Sequence, residues 1–184
     1  MSLEGKSIAI ITSQVGVEKV ELTSPREAII SAGGRAVHAA PASDDVQSMV
    51  GDVDKDETFT PDATVADLSV DDFDAVVIPG GTVNADTLRL DDTALGFIKA
   101  FAAAGKPIAA ICHGPWALVE TGLTRGKTLT SYPSLRTDIV NAGGQWVDET
   151  VKHCTAEGFD LITSRNPDDL EAFNATIVDV VGQR

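Results

Sequence analysis

The chain has little of what several large classes of protein require. Two cysteines in 184 residues are too few for a disulfide framework. No apolar run approaches the roughly 18 residues that a membrane-spanning helix needs. Residues 1–6 lack the basic region and long apolar core of a signal peptide. We therefore expect a cytoplasmic protein with reduced thiols.

Basic side chains are also scarce. Fourteen Lys and Arg residues face 28 Asp and Glu residues, which gives a formal net charge of −14. Binding to nucleic acid is not expected, because phosphate contacts require a basic face. The acids are concentrated in residues 44–74, where Lys55 is the single basic side chain. This acidic segment is interpreted as a solvated surface.

One part of the acidic segment has the spacing of a metal loop. Asp52, Asp54 and Asp56 alternate as the first ligands of a calcium loop do. However, Glu57 stands where the loop requires glycine, and Ala63 stands where it requires a bidentate glutamate. We expect no metal and no cofactor.

Apolar strand-length runs alternate with helical patterns along the chain, which predicts an α/β protein with a mostly parallel sheet. A single domain over residues 1–184 in a three-layer α/β/α sandwich accommodates this order. Strands are predicted at 7–12, 35–40, 74–79, 107–111, 127–130, 145–147, 150–154 and 159–163. Helices are predicted at 20–32, 93–104, 114–120, 134–141 and 168–181, and segment 57–68 is left open between strand and irregular structure.

Ligands of such sheets bind beyond the carboxyl ends of the strands. Three segments follow predicted strands at that edge: residues 14–18, residues 80–86 and the turn at Cys112. Their convergence predicts an active site.

The sequence Ala110-Ile111-Cys112-His113-Gly114 is typical of a nucleophile elbow, in which a sharp strand-to-helix turn exposes a reactive side chain. A sulfur at a helix N-terminus is expected to have a lowered pKa and to ionise readily. The alternative interpretation is that Cys112 is a small buried apolar residue, as free cysteines usually are.

Two further segments can complete such a site. Glu18 either faces the thiol and shares one proton with it, or is a solvated acid at the start of a helix. The Gly80-Gly81 pair is either a tight turn or a close approach to the substrate, with the N–H groups of Gly81 and His113 forming an oxyanion hole.

The three histidines are candidate partners of the thiol or of a metal. We expect His113 to reach the substrate but not to lie flat against the sulfur of its neighbour in the chain. Asp86 is a candidate to orient His113, or a surface aspartate. His38 lies on a predicted strand, and His153 and Cys154 point to opposite faces of another strand, so a zinc site is not expected.

Four blocks of the sequence, in this order, carry a family resemblance: GVEKVELTSPREAI, FDAVVIPGGTVNADTLRL, KPIAAICHGPWALVETGLTRGKTLTSYPSLRTDIVNAGGQWVDE and LITSRNPDDLEAFN. The chain resembles PfpI-type intracellular cysteine proteases over nearly its whole length. That superfamily includes the parkinsonism-associated protein deglycase and class I glutamine amidotransferase-like domains. Segment 152–159 is longer than the short hairpin usual there, and segment 44–74 matches only loosely.

The resemblance implies a flavodoxin-like fold and a set of roles. Cys112 matches the nucleophile, His113 the adjacent histidine, Glu18 the acid paired with the thiol and Gly81 the glycine of the oxyanion hole. Asp86 falls near the acid that reaches the histidine of a neighbouring subunit, which implies a homodimer or a higher oligomer.

Members of the family are peptidases, cofactor-free glyoxalases that convert methylglyoxal to lactate, deglycases and stress chaperones. The resemblance therefore implies a cysteine-dependent hydrolase that acts on peptides or small carbonyl compounds in stress protection. The alternative is a redox-sensing chaperone without robust turnover, since an exposed thiol of low pKa oxidises readily.

Overall fold

The computed structural model describes all 184 residues. The strands are β1 (Ser7–Ile11), β2 (Val15–Glu18), β3 (Arg35–Ala40), β4 (Val46–Val50), β5 (Asp54–Phe59), β6 (Ala63–Thr64), β7 (Ala75–Ile78), β8 (Ile108–Ile111), β9 (Thr128–Leu129), β10 (Gln145–Trp146), β11 (Val151–Cys154) and β12 (Leu161–Ser164). The α-helices are α1 (Lys19–Ser31), α2 (Thr82–Leu88), α3 (Asp92–Ala103), α4 (Trp116–Thr121), α5 (Arg136–Asn141) and α6 (Leu170–Gly182). No helix is long and apolar enough to cross a membrane.

Seven strands form the central sheet, in the order β11-β12-β8-β7-β1-β3-β6. All neighbours pair in parallel except β11, which runs antiparallel to β12 at the edge. Four of the five inner strands, β12, β8, β7 and β1, consist almost wholly of buried residues. Such strands are covered on both faces, because connections between parallel strands place helices there.

The apolar core is divided by this sheet into two layers. On one face, Phe97 and Phe101 of α3 pack with Leu118 of α4. On the other face, Leu22 of α1 packs with Phe173 of α6. The result is the predicted three-layer α/β/α sandwich with a mostly parallel sheet. Most predicted elements lie within two or three residues of their observed ends.

A small second sheet differs from the prediction. Residues 14–18, expected as a loop, contain β2, which pairs in parallel with β4, and β4 pairs antiparallel with β5. The acidic segment 44–74 thus contains a β4–β5 hairpin rather than only a solvated surface. Residues 80–86, also expected as a loop, lead directly into α2. Both differences place ordered elements at the carboxyl edge of the central sheet.

Candidate active site

Cys112 occupies a strained turn at the end of β8. Its φ is +61°, a left-handed conformation that a non-glycine residue rarely adopts. The backbone holds this conformation from both sides: Cys112 N–H donates to Ser164 O at 3.1 Å, and Tyr132 N–H donates to Cys112 O at 2.9 Å. Strain of this kind persists where surrounding structure imposes it, often at functional sites. The predicted elbow is present, although α4 begins only at Trp116, further from the sulfur than expected.

Glu21, in the first turn of α1, is the carboxyl group that lies beside the thiol. Its side chain is fully buried, and its Oε2 accepts a hydrogen bond from Gly80 N–H at 2.8 Å. The charge of Glu21 acts directly on the pKa of Cys112. A Cβ atom at Gly80 would lie 2.5 Å from Glu21 Oε2 and 2.6 Å from Cys112 Cβ. Gly80 therefore allows the acid and the thiol to approach each other.

Glu18 was expected in this position, and the structure differs. Glu18 is the last residue of β2, and its Oε2 accepts a hydrogen bond from Asp52 N–H at 3.1 Å. It makes no hydrogen bond to Cys112. The physical reason is that α1 begins at Lys19. Glu18 is still part of β2, whereas Glu21 lies in the first helical turn, on the buried face of α1 that faces the elbow.

Ionisation of Cys112 and Glu21 is coupled. Burial raises the pKa of Glu21 to about 8. Burial also raises the pKa of the Cys112 thiol, the Glu21 charge adds to this rise, and hydrogen bonds from the Gly81 and His113 N–H groups oppose it. The expected lowering of the thiol pKa is therefore not found. The pair retains at least one proton at neutral pH, because two negative charges are unfavourable in a buried site.

The oxyanion-hole expectation rests on the same two N–H groups. The backbone N–H groups of Gly81 and His113 both act to lower the pKa of the Cys112 thiol, as donors directed toward the elbow do. Gly81 has a φ of +89°, and a Cβ atom there would lie 2.1 Å from Gly16 O. The residue must therefore be glycine for the loop after β7 to pack against β2 and direct its N–H at the elbow.

His113 lies closer to the thiol than its sequence position suggested. Its Nδ1 is 3.2 Å from Cys112 Sγ, so the ring meets the sulfur through a nitrogen at its edge rather than lying flat against it. The ring stacks on Tyr132 with centroids 4.7 Å apart, and Nε2 lies 3.5 Å from Thr82 Oγ1 and 3.4 Å from Ser134 Oγ. Burial lowers the pKa of His113, which favours the neutral imidazole.

Above the elbow lies a pocket of about 350 Å³. The β4–β5 turn forms one wall, where Asp52 has a φ of +67° and accepts hydrogen bonds from both Thr82 N–H and Thr82 Oγ1. The turn is thereby tied to the start of α2. The pocket is lined by Glu18, Val20, Glu21, Val50, Gly51, Asp52, Cys112, Tyr132 and Pro167.

Sequence reasoning did not find Glu21, Asp52 or Tyr132. A signal for Glu21 exists, since Glu21, Pro25 and Ile29 are spaced four residues apart on one buried helix face. A glutamate on that face is unusual and calls for a partner. No comparable local signal marks Asp52, whose position depends on the pairing of β2 with β4.

Asp86 and the remaining candidates lie away from the thiol. Asp86 is exposed on α2, and its carboxylate makes no hydrogen bond within the chain. His153 Nε2 lies 2.7 Å from Asp160 Oδ1, whereas Cys154 Sγ accepts from Thr128 N–H. The chain contains no cluster of three or more His, Cys, Asp or Glu residues suited to a metal ion.

Comparison with known proteins identifies the family. The model of the DJ-1/PfpI family matches residues 6–180. A Bacillus subtilis protein named "Putative cysteine protease YraA" is 41% identical over 170 residues, which are 92% of this chain and 94% of that protein. General stress protein 18 of the same organism is 39% identical over 171 residues, again 92% of this chain and 94% of the relative.

Among solved structures, Drosophila melanogaster DJ-1beta superposes with a TM-score of 0.85 at 30% identity, covering 100% of this chain and 92% of that one. A two-domain Anabaena variabilis protein with DJ-1/ThiJ/PfpI-like and ferritin-like domains gives a TM-score of 0.86 at 33% identity, covering 96% of this chain and 48% of that one. The chain belongs to the DJ-1/PfpI family and has its flavodoxin-like fold.

Proposed function

We propose that the chain is a cysteine-dependent hydrolase of the PfpI type in which Cys112 attacks a substrate carbonyl. The observation that carries the proposal is the elbow itself: Cys112 has a left-handed backbone, and its sulfur lies 3.2 Å from His113 Nδ1. The Gly81 and His113 N–H groups favour the ionised sulfur by lowering the pKa of the thiol. The family and the name of the YraA relative agree with cysteine chemistry. A cytoplasmic location suits the two free thiols.

In this mechanism the thiol loses its proton as it attacks. Because the pKa of Cys112 is raised and that of His113 is lowered, the resting pair is a neutral thiol and a neutral imidazole. His113 Nδ1 accepts the thiol proton while the sulfur bonds to the carbonyl carbon. The carbonyl π electrons move to oxygen, and the N–H groups of Gly81 and His113 stabilise the resulting oxyanion. Glu21, protonated near neutral pH, adds no second negative charge.

Two outcomes follow from this adduct. With an amide, the C–N bond breaks, the amine leaves with the proton from His113, and water hydrolyses the thioester. With an aldehyde, the adduct is a hemithioacetal, from which a glyoxalase or deglycase reaction can proceed. The proposed chemistry needs only side chains and water.

The test compares three substrates: methylglyoxal, a fluorogenic peptide and a glycated amino acid. We expect wild-type protein to turn over at least one of them and Cys112→Ala to turn over none. Cys154→Ser is the matched control, since it removes the other thiol and leaves the elbow intact. Activity that survives in Cys112→Ala would overturn the proposal.

We further propose that the active protein is a homodimer or a higher oligomer in which Asp86 approaches the site of a neighbouring copy. Asp86 is exposed and unpaired on α2, the helix whose first residue, Thr82, lies beside His113. Light scattering measures the assembly, and mixing inactive Cys112→Ala with Asp86→Asn tests shared sites. In a mixed assembly, the Asp86→Asn copy supplies Cys112 and the Cys112→Ala copy supplies Asp86. If Asp86 acts across an interface, this combination restores part of the activity that Asp86→Asn alone has lost.

The second candidate is a redox-sensing stress chaperone. The name of general stress protein 18 favours a stress role. The raised pKa argues against the redox-sensing part, because the thiolate is the form that oxidises. Suppression of aggregation that is equal in wild type and Cys112→Ala, with no turnover of any carbonyl substrate, would favour this candidate.

A further inference from the structure

The pocket above Cys112 carries an unbalanced negative charge. Three of its lining residues, Glu18, Glu21 and Asp52, bear carboxyl groups, and none is basic. Because burial raises the pKa of Glu21 to about 8, the negative charge at neutral pH comes from Glu18 and Asp52. The nearest lysine in sequence, Lys19, is directed away and pairs with Asp56 and Glu57. None of the three carboxyl groups of the pocket has an ion pair within the chain. A bound cationic group would therefore meet complementary charge that the protein itself does not supply.

Some carboxylate oxygens that line the pocket also lack hydrogen-bond partners. Glu21 is fully buried, and its Oε1 has no hydrogen-bond partner, which is unusual for a buried polar atom. The single hydrogen bond of the Glu18 carboxylate comes from Asp52 N–H. The Asp52 oxygens are both taken by Thr82, so Asp52 offers charge but fewer free acceptor sites. These acceptors suit a ligand that donates several hydrogen bonds.

The other walls are apolar and aromatic. Val20, Val50 and Pro167 line the pocket, and so does Tyr132, a residue that is 41% exposed and whose ring stacks on His113. Apolar walls that lead to carboxylates match an aliphatic arm with a charged end, as in lysine or arginine side chains. An exposed tyrosine ring also attracts cations.

We propose that Glu18 and Asp52 form a subsite for a positively charged group, an ammonium or guanidinium on an aliphatic arm, next to the carbonyl that Cys112 attacks. The attack by Cys112 is part of the proposed function, and the inference rests on it there. The preference of the pocket for a positive charge does not depend on that attack. In this assignment Glu18 selects the substrate, whereas Glu21 is the carboxyl group that contacts the thiol.

The first experiment measures access to Cys112 without requiring turnover. Methanethiosulfonate reagents with a trimethylammonium, an uncharged or a sulfonate group are reacted with Cys154→Ser protein, and the modification rates are compared. We expect the cationic reagent to react fastest and the anionic reagent slowest. Glu18→Gln and Asp52→Asn should each reduce the cation-to-anion rate ratio by roughly three- to tenfold. The ratio is independent of thiol ionisation, since that affects all three reagents alike.

Two controls separate the subsite from the overall charge of the chain. Glu4→Gln makes the same chemical change at an exposed remote acid and should leave the ratio unchanged. The same rate ratio is measured at Cys154 in a Cys112→Ser background. It gives the preference for the cationic reagent that the net charge of −14 produces at a thiol outside the pocket. Asparagine tolerates the left-handed backbone at position 52 and can still pair with Thr82, so Asp52→Asn should fold. A ratio at Cys112 no larger than at Cys154, or unchanged in both variants, would overturn the subsite.

The second experiment uses peptide substrates that differ at one position: arginine, or citrulline as its neutral isostere, beside the reacting carbonyl. We expect a higher kcat/KM for arginine than for citrulline, and we expect Glu18→Gln to remove most of the difference between the two substrates. Equal values in wild type contradict the subsite. Absence of all turnover with retained reagent selectivity would instead refute the proposed function and leave the subsite standing.

Discussion

Glu21 Oε2 and Gly80 N–H are joined by a 2.8 Å hydrogen bond that connects helix α1 to the loop after β7. The bond fixes the buried carboxyl beside Cys112, while the next residue, Gly81, directs its own N–H at the sulfur. The double glycine therefore serves two purposes. Its first residue positions the acid, and in the mechanism we propose its second supplies a donor for charge that develops at the reacting atoms.

Glu21→Gln is expected to lower the pKa of the Cys112 thiol. The Glu21 carboxylate raises this pKa by charge repulsion, and glutamine keeps the acceptor for Gly80 N–H without the charge. Alkylation of Cys112 by iodoacetamide, followed from pH 6 to 10 in a Cys154→Ser background, measures the change. At pH 9 the variant should react about tenfold faster than its parent, since one pKa unit corresponds to tenfold in thiolate.

Glu27→Gln is the matched control for this prediction, because Glu27 is exposed on the same helix. Its alkylation profile should coincide with that of the parent. A Glu21→Gln profile that also coincides with the parent would show that the Glu21 charge does not act on the thiol.

Gly80→Ala is expected to destabilise the protein by about 1–3 kcal/mol and to reduce turnover. The added methyl group would overlap Glu21 Oε2, Cys112 Cβ and the backbone nitrogen of His113. Gly96→Ala should have the opposite sign, a gain of about 0.5–1 kcal/mol, because Gly96 lies in α3 with open space around it. Urea unfolding of both variants measures the difference, and two effects of the same sign would contradict the packing described for Gly80.

Much of this architecture could be predicted from local sequence. Runs such as Ile108–Ile111 are apolar throughout, and periodicity identifies them without knowledge of the fold. The elbow was equally visible, since Cys112 stands between a strand and a helix-forming segment. These features depend on residues that are near neighbours in the chain.

The errors concern contacts between distant segments. Choosing between Glu18 and Glu21 requires knowing which of them packs against Gly80 and Cys112, which lie far away in the sequence, and the predicted start of α1 within one residue of Lys19 does not supply that contact. Asp52 lies in the pocket only because β4 pairs with β2, and its partner Thr82 comes 30 residues later in the chain. The lowered thiol pKa was expected from a helix N-terminus, whereas burial and Glu21 outweigh that effect.

Lys127→Met is expected to cost about 2–3 kcal/mol of stability. Lys127 is almost fully buried, its ammonium donates to the carbonyls of Cys154, Ala156 and Phe159, and it lies 3.6 Å from the centroid of the Phe159 ring. Methionine matches the length of the arm but leaves these carbonyls without a donor. Lys99→Met, at an exposed position of α3, should change stability by less than about 0.5 kcal/mol. Equal losses in the two variants would contradict a structural role for the Lys127 ammonium.

His38 is expected to make the protein sensitive to acid. It is fully buried on β3, its Nε2 lies 2.9 Å from Thr12 Oγ1, its Nδ1 has no partner, and burial lowers its pKa to about 4. As pH falls below about 6.5, the unfolded chain binds a proton at this residue before the folded one does. Stability from His38 is therefore complete above that pH, and it is lost as pH falls toward about 4.

His38→Gln removes this titration while keeping a polar side chain in the same place. Urea unfolding at several pH values should show that wild type loses on the order of 2–3 kcal/mol more than the variant between pH 7 and pH 4.5. The carboxylates that also protonate in this range are common to both proteins and cancel in the comparison. The ring proton signals of His38 should titrate in the folded protein with a midpoint near pH 4, and a midpoint near 6.5 or parallel stability curves would refute the burial of a neutral imidazole.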